Sequence, residues 1–204
     1  MGLGYGHREW EDYEWFPSGG GRRGPAVTVG SGDPDGASAA LLERVLRDPI
    51  WEPDDAPRIL LVDLDNLRAG PLRWRARMAV VVALARQADH VALAGQEGAV
   101  RRARPHLEEF AGTAVAVAAG SDLADVALLA KVDELDLPDA QALVVGNDGI
   151  FAELAQCGPL VVLSPGRHAL SDALEQVAVR VVDLAALEHD VAAALPVRTG
   201  IGAY

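Results

Sequence analysis

The run Leu60-Leu61-Val62-Asp63-Leu64-Asp65-Asn66 sets apolar residues directly against two carboxylates and an amide. A strand buried in a parallel sheet is normally a continuous apolar run, and ligands of open α/β sheets sit beyond the carboxyl ends of the strands. Acids at such an end therefore face a crevice rather than a core. Two further segments repeat the pattern. Ser121-Asp122-Leu123-Ala124-Asp125 opens a helix-like stretch, and Gly146-Asn147-Asp148-Gly149 follows another apolar run. Carboxylates gathered at one point raise one another's pKa unless a cation neutralises them. Mg²⁺ or Mn²⁺ suits an all-oxygen donor set. An ion held by two or three carboxylates activates water and stabilises a phosphoryl transition state, and two ions about 4 Å apart act on both sides of an in-line displacement.

Whether the three segments meet depends on the elements that carry them. From Arg58 onward, strand-like runs alternate with helix-length stretches. The strands are Ile59–Val62, His90–Ala94, Ala114–Ala118, Ala142–Val145, Leu160–Leu163 and Val179–Val182. The helices are Leu72–Gln87, Gln96–Phe110, Leu123–Leu135, Ile150–Gln156, Ser171–Val177 and Leu184–Ala194. Alternating βα units with right-handed crossovers predict a doubly wound three-layer α/β/α domain on a mainly parallel sheet of five to six strands. With strand order 3-2-1-4-5, the first and fourth strands are neighbours beside the switch point. Asp63, Asp125 and Asp148 then converge, with Asp122 close by.

The ordered set Asp63-Leu64-Asp65-Asn66-Leu67, Asp125-Val126-Ala127-Leu128 and Gly146-Asn147-Asp148-Gly149-Ile150-Phe151 carries a resemblance, extended by the strand Leu160–Leu163 and the Ser-led helix and strand over Ser171–Asp183. Residues 58 to about 187 are similar to an NYN domain, a branch of the PIN-like nuclease superfamily. That family opens with Asp-x-Asp-Asn, places an Asp at a helix start as Asp-Val-Ala-Leu, and ends its next strand in Ser-Gly-Asp-Ser-Asp-Phe. The resemblance implies a metal-dependent ribonuclease acting on single-stranded RNA with Mg²⁺ or Mn²⁺. Asp63, Asp125 and Asp148 would be its metal-holding catalytic acids, Asn66 would position a phosphate or a ligand, and Asp122 would be a substitute acid. This chain departs from the family where Ile150 replaces a second Asp and Gly146-Asn147 replaces Ser-Gly. One outer carboxylate is missing, which weakens a second metal site most. A domain that keeps the fold as a binding or scaffold module without catalysis is the alternative. A haloacid-dehalogenase-like phosphatase is another, with Asp63 as nucleophile and Asp65 as acid/base. Against it, Leu67 stands where that family has Thr, and the second strand ends in Ala94-Gly95 without a Ser or Thr.

Each acid also has a plainer reading. Ser121 or Asp122 can cap the third helix of the alternating series, a contribution of about 1 kcal/mol. Asp125 lies a full turn in, where capping explains it less well. Asp148 before Gly149 suits a turn, and strand alternation turns Asp65 away from Asp63 toward solvent. Arg68, Arg73, Arg75 and Arg77 with Trp74 follow the first acids closely, and guanidinium groups beside a stacking ring suit single-stranded RNA. Arg68, Arg73, Trp74 and Asn147 are the candidate substrate contacts. Arg101, Arg102 and Arg104 form a second cluster that reads as a solvated helix face. His168 lies in the loop after the fifth strand, and Phe151 and Cys157 read as buried.

The chain has 204 residues and a net charge of −12, which argues against a globally basic nucleic-acid binder but leaves room for a local basic patch. Its single cysteine excludes an intramolecular disulfide and a Cys-based zinc cluster. No apolar run reaches the roughly 18–20 residues that span a bilayer, and the N-terminus lacks the apolar region of a signal peptide. The expectation is a cytoplasmic protein. Residues 1–36 read as a Gly-rich tail with an acidic and aromatic cluster (Trp10, Tyr13, Trp15, Phe16), open to docking on the domain or on a protein partner. Residues 37–57 read as a short helix and a linker, 58–195 as the domain, and 196–204 as a C-terminal tail. The sequence leaves self-association open.

Overall fold

The computed structural model describes residues 34–194, Asp54 and Ser121 excepted. The readings placed on residues 1–33 and 195–204, and the capping role offered to Ser121, lie outside the described residues. Six strands, β1 (Arg58–Asp63), β2 (His90–Gln96), β3 (Ala114–Val117), β4 (Gln141–Val145), β5 (Leu160–Ser164) and β6 (Arg180–Asp183), form one sheet of order β3-β2-β1-β4-β5-β6. Every neighbouring pair is parallel. The expected order holds, and β6 extends it at the β5 edge. β1 and β4, buried along almost their whole length, lie at the centre with Ile59 beside Ala142 and Val62 beside Val145. A strand that is apolar on both faces needs cover on both.

That cover divides by strand parity. Leu60, Val62 and Leu64 face one layer, built from α2 (Pro71–Ala85), α3 (Glu97–Ala103) and α6 (Leu184–Ala194), with α1 (Pro34–Val45) packed against α2 and α6. Ile59 and Leu61 face the other, built from α4 (Leu123–Leu135), a 3-10 stretch over Gly149–Gln156 that buries Phe151, and α5 (Asp172–Val177). Among the described residues no helix is long and apolar enough to cross a membrane.

Two local readings change. The helix expected over Gln96–Phe110 ends at Ala103 and continues as 3-10 turns over Arg104–His106 and Glu108–Thr113. Pro105 is the reason, because its ring and missing N–H disfavour an α-helix through that point. Residues 48–57, read as a linker, bury Ile50 and Trp51 in the same core as Leu41 and Val45. The stretch is pinned by the Gln141 side chain, which accepts from the Glu52 N–H at 2.7 Å and donates to the Glu52 carbonyl at 3.2 Å.

Candidate metal centre

Asp63 closes β1, and alternation turns its side chain toward α4, where it is 3% exposed. Gly146, just after β4, lies beside it, where a Cβ would stand in ordinary contact at 3.7 Å from the Asp63 Cβ and 3.4 Å from the Phe151 ring. Asp63 Oδ1 accepts from the backbone N–H of Asp65 at 2.9 Å and of Asn66 at 3.4 Å, and Oδ2 accepts from the Asn66 amide. Burial pushes the Asp63 carboxyl above its ordinary value, and these hydrogen bonds oppose the shift. Asn66 thus acts on Asp63 itself. Asp65, read as turned toward solvent, is half-buried: its Oδ2 accepts from the Gln96 N–H at 2.7 Å and its Oδ1 from Arg68 at 2.8 Å, tying the β1 turn to the end of β2.

Asp122, Asp125 and Asp148 each bring a carboxylate oxygen to one point, all within 4.8 Å of one another. Asp125, in the first turn of α4, is 6% exposed, and its Oδ1 has no hydrogen-bond partner among the described residues. Burial first, then the charges of Asp63, Asp148, Asp122 and Asp65, push its pKa up to about 7. Asp63 is the largest of those charges, yet the closest grouping takes Asp122 in its place. Asp122 precedes α4 at φ 66° and makes no side-chain cap hydrogen bond, so the capping reading fails for it. A left-handed conformation at a residue with a Cβ costs about 1–2 kcal/mol, less for Asp. Asp148 does serve its turn, accepting from the Ile150 N–H at 2.9 Å through Oδ1. None of the ion pairs among the described residues involves these acids or Asp63.

Asp122→Gly is therefore expected to stabilise the metal-free protein by about 1 kcal/mol and to weaken its response to Mn²⁺. Thermal denaturation with and without the ion measures both. A destabilised variant would show that Asp122 is held by contacts rather than strained.

Beside the acids lies a cleft of about 470 Å³ lined by Asn66, Asn147, Asp148, Gly149, Ala169 and Ser171. Its floor is braced by Asn147, which is 8% exposed. The Asn147 Oδ1 accepts from Ser164 Oγ at 2.6 Å, its Nδ2 donates to the Gly166 carbonyl at 3.4 Å, and its carbonyl accepts from the Ser171 N–H at 2.9 Å. Asn147 is thereby corrected from a substrate contact to a brace, because its amide is already engaged. Gly149 allows Ser171 to close in, since a Cβ there would lie 2.6 Å from Ser171 Oγ.

Two more candidate substrate contacts are corrected. Trp74 is 3% exposed and cannot offer a stacking face, because its ring is packed into the core and the Arg102 guanidinium lies 4.5 Å from the ring centroid. Arg73 donates to Glu188 of α6. Arg68 alone of the four remains largely exposed, at 63% of its side chain. Arg77 is buried, donating to Glu188 at 2.6 Å and 2.9 Å, to the Pro165 carbonyl at 3.1 Å and to the Leu67 carbonyl at 3.4 Å. The residue that sequence reasoning missed is Glu188. Its signal was present as an acid at helical spacing between the apolar Leu184 and Val191. His168 sits exposed in a 3-10 turn over Arg167–Ala169, and Cys157 is half-buried rather than buried.

Compared with known proteins, the chain matches no family model and no curated protein.

Proposed function

We propose that this chain is a metal-dependent nuclease-like domain acting on RNA phosphodiesters, with one Mg²⁺ or Mn²⁺ held by Asp122, Asp125 and Asp148 beside Asp63. The observation that carries the reading is Asp125: a buried carboxylate whose Oδ1 has no partner among the described residues, set among acids that form no ion pair within them. An all-oxygen, multiply negative donor set fits a hard divalent cation. Such an ion supplies Lewis acidity and a bound water of lowered pKa. The chain's own residues do the rest. Asn66 and the two turn amides hold Asp63 in place, Asp65 fixes that turn to β2, and the Asn147–Ser164 pair holds the loop that presents Asp148. The cleft beside Asp148, lined by neutral amide and hydroxyl groups, suits a polynucleotide segment next to the reacting phosphate.

The resemblance to NYN domains supports this reading, and Ile150 points to a single ion rather than two, because it packs against the core. Covalent phosphate transfer is disfavoured. Asp63 is buried with both oxygens accepting hydrogen bonds, and Asp65 is tied to Gln96 and Arg68.

The test joins a metal titration to an assay. Mn²⁺ should raise the melting temperature of the full chain, and end-labelled single-stranded RNA should be cleaved with Mn²⁺ but not with EDTA. Metal stabilisation without cleavage would favour the binding or scaffold alternative. Hydrolysis of p-nitrophenyl phosphate alone, abolished by Asp65→Asn, would overturn the proposal in favour of the phosphatase.

A further inference from the structure

We infer that the outer face of α3 and of the loop before α2 is a track for the phosphate backbone of single-stranded RNA, running from the rim of the acidic cleft across Arg68 to Arg102, Arg101 and Arg104. The inference rests on the RNA reading above and adds a second binding surface to it. The two helices begin at the carboxyl ends of β1 and β2, the end of the sheet that carries the acids. Arg68 follows Asn66 by two residues, with its guanidinium against Asp65 and Gln96 at 2.8 Å and 3.3 Å. Arg102 donates to the carbonyl of Ala69 at 2.8 Å in the same loop while its guanidinium lies over Trp74. A guanidinium has five donors, so this seat fixes Arg102 and leaves donors directed outward. His106, on the turn after α3, shows what surrounds it: partial burial and then the charges of Arg75 and Arg102 hold it below its ordinary value.

Charge complementarity selects the occupant. In a chain of net charge −12, this face gathers exposed Arg68, Arg101, Arg102 and Arg104. The acids on the same segments are Asp65, paired with Arg68 at 2.8 Å, Glu97, Glu108, and Glu109, the last already paired with Arg86 at 2.7 Å. Neither Arg101 nor Arg104 is ion-paired among the described residues. A flexible polyanion gains from such a row by releasing counterions, and the acidic remainder of the surface repels it. Binding along the row makes strand length matter: an RNA too short to reach from the cleft to α3 loses these contacts.

The test uses the full chain in EDTA, so that no divalent ion contributes, and a fluorescein-labelled oligouridylate of about 12 nucleotides. Anisotropy should report binding that weakens steeply with salt, by about 0.7 in log–log slope for each phosphate contacted. Arg101→Glu with Arg104→Glu, which break no contact described above, should lower affinity at least about tenfold. Arg102→Glu should do the same, and Arg47→Glu, beyond the end of α1, should change nothing. Equal affinity in all variants, or no salt-sensitive binding at all, would overturn the inference. So would binding that emerges only after Glu9, Glu11, Asp12 and Glu14 are neutralised, because the face would then belong to the chain's own acidic segment. The two readings fail separately. RNA binding in EDTA without any Mn²⁺ thermal shift removes the metal site and keeps the track. A thermal shift without RNA binding does the reverse.

Discussion

Replacing Asp125 with Asn is expected to abolish the Mn²⁺-induced rise in melting temperature while making the metal-free protein more stable above neutral pH. The two effects have one cause. Burial and four neighbouring acids raise the Asp125 pKa from its ordinary 3.8 to about 7 in the folded protein. The folded state therefore keeps a proton that the unfolded chain has already lost. That preference stabilises the fold fully below pH 4 and is lost as pH rises through about 7, a change on the order of 4 kcal/mol. Metal-free wild type should weaken across this window, and Asp125→Asn should remove much of the slope. Metal binding requires the carboxylate, so apparent Mn²⁺ affinity of the wild type should fall about tenfold for each pH unit below 7. Urea denaturation at several pH values, with and without Mn²⁺, measures all three effects. Survival of the Mn²⁺ response in Asp125→Asn would remove the residue from the metal centre.

Glu188→Ala should cost about 3–5 kcal/mol, because it strands Arg77 as a buried charge and takes the partner of Arg73 with it. The loss reaches beyond α6. Arg77 also holds the Leu67 and Pro165 carbonyls, which adjoin Asn66 on one side and the Ser164–Asn147 pair on the other. Loosened loops should lower Mn²⁺ affinity along with stability. The double substitution Arg77→Met with Glu188→Met should cost less than either single change, since it removes the charges together. A Glu188→Ala midpoint in urea within about 1 kcal/mol of wild type would place the pair among weak surface bridges, contrary to its burial.

The strand order and the meeting of acids at the strand ends were legible because both follow from period and parity. Apolar runs at regular spacing define the sheet, and the switch point follows from right-handed crossovers. Asp122 was legible as a substitute acid, but its taking the place of Asp63 in the closest grouping was not. Asp122 joins Asp125 and Asp148 through a left-handed residue before α4, while Asp63 turns its oxygens back into its own turn. Neither conformation leaves a periodic trace. Trp74 misled for a different reason. Its ring is taken into the core of that layer and capped by Arg102, a partner 28 residues away in sequence that no local pattern reveals. Arg77 misled likewise, since its partner Glu188 lies 111 residues away.

The position of α1 also changes where the molecule can be divided. Its sequence comes before the first strand, but its side chains belong to the interior. Cutting the chain before Arg58 would remove Leu41, Val45, Ile50 and Trp51 from the core they share with α2. The remainder would present a bared apolar helix face to water, the kind of surface through which proteins self-associate. A fragment meant to report on the acidic centre would report instead on aggregation. Any piece that keeps this core covered has to include α1, Pro34–Val45.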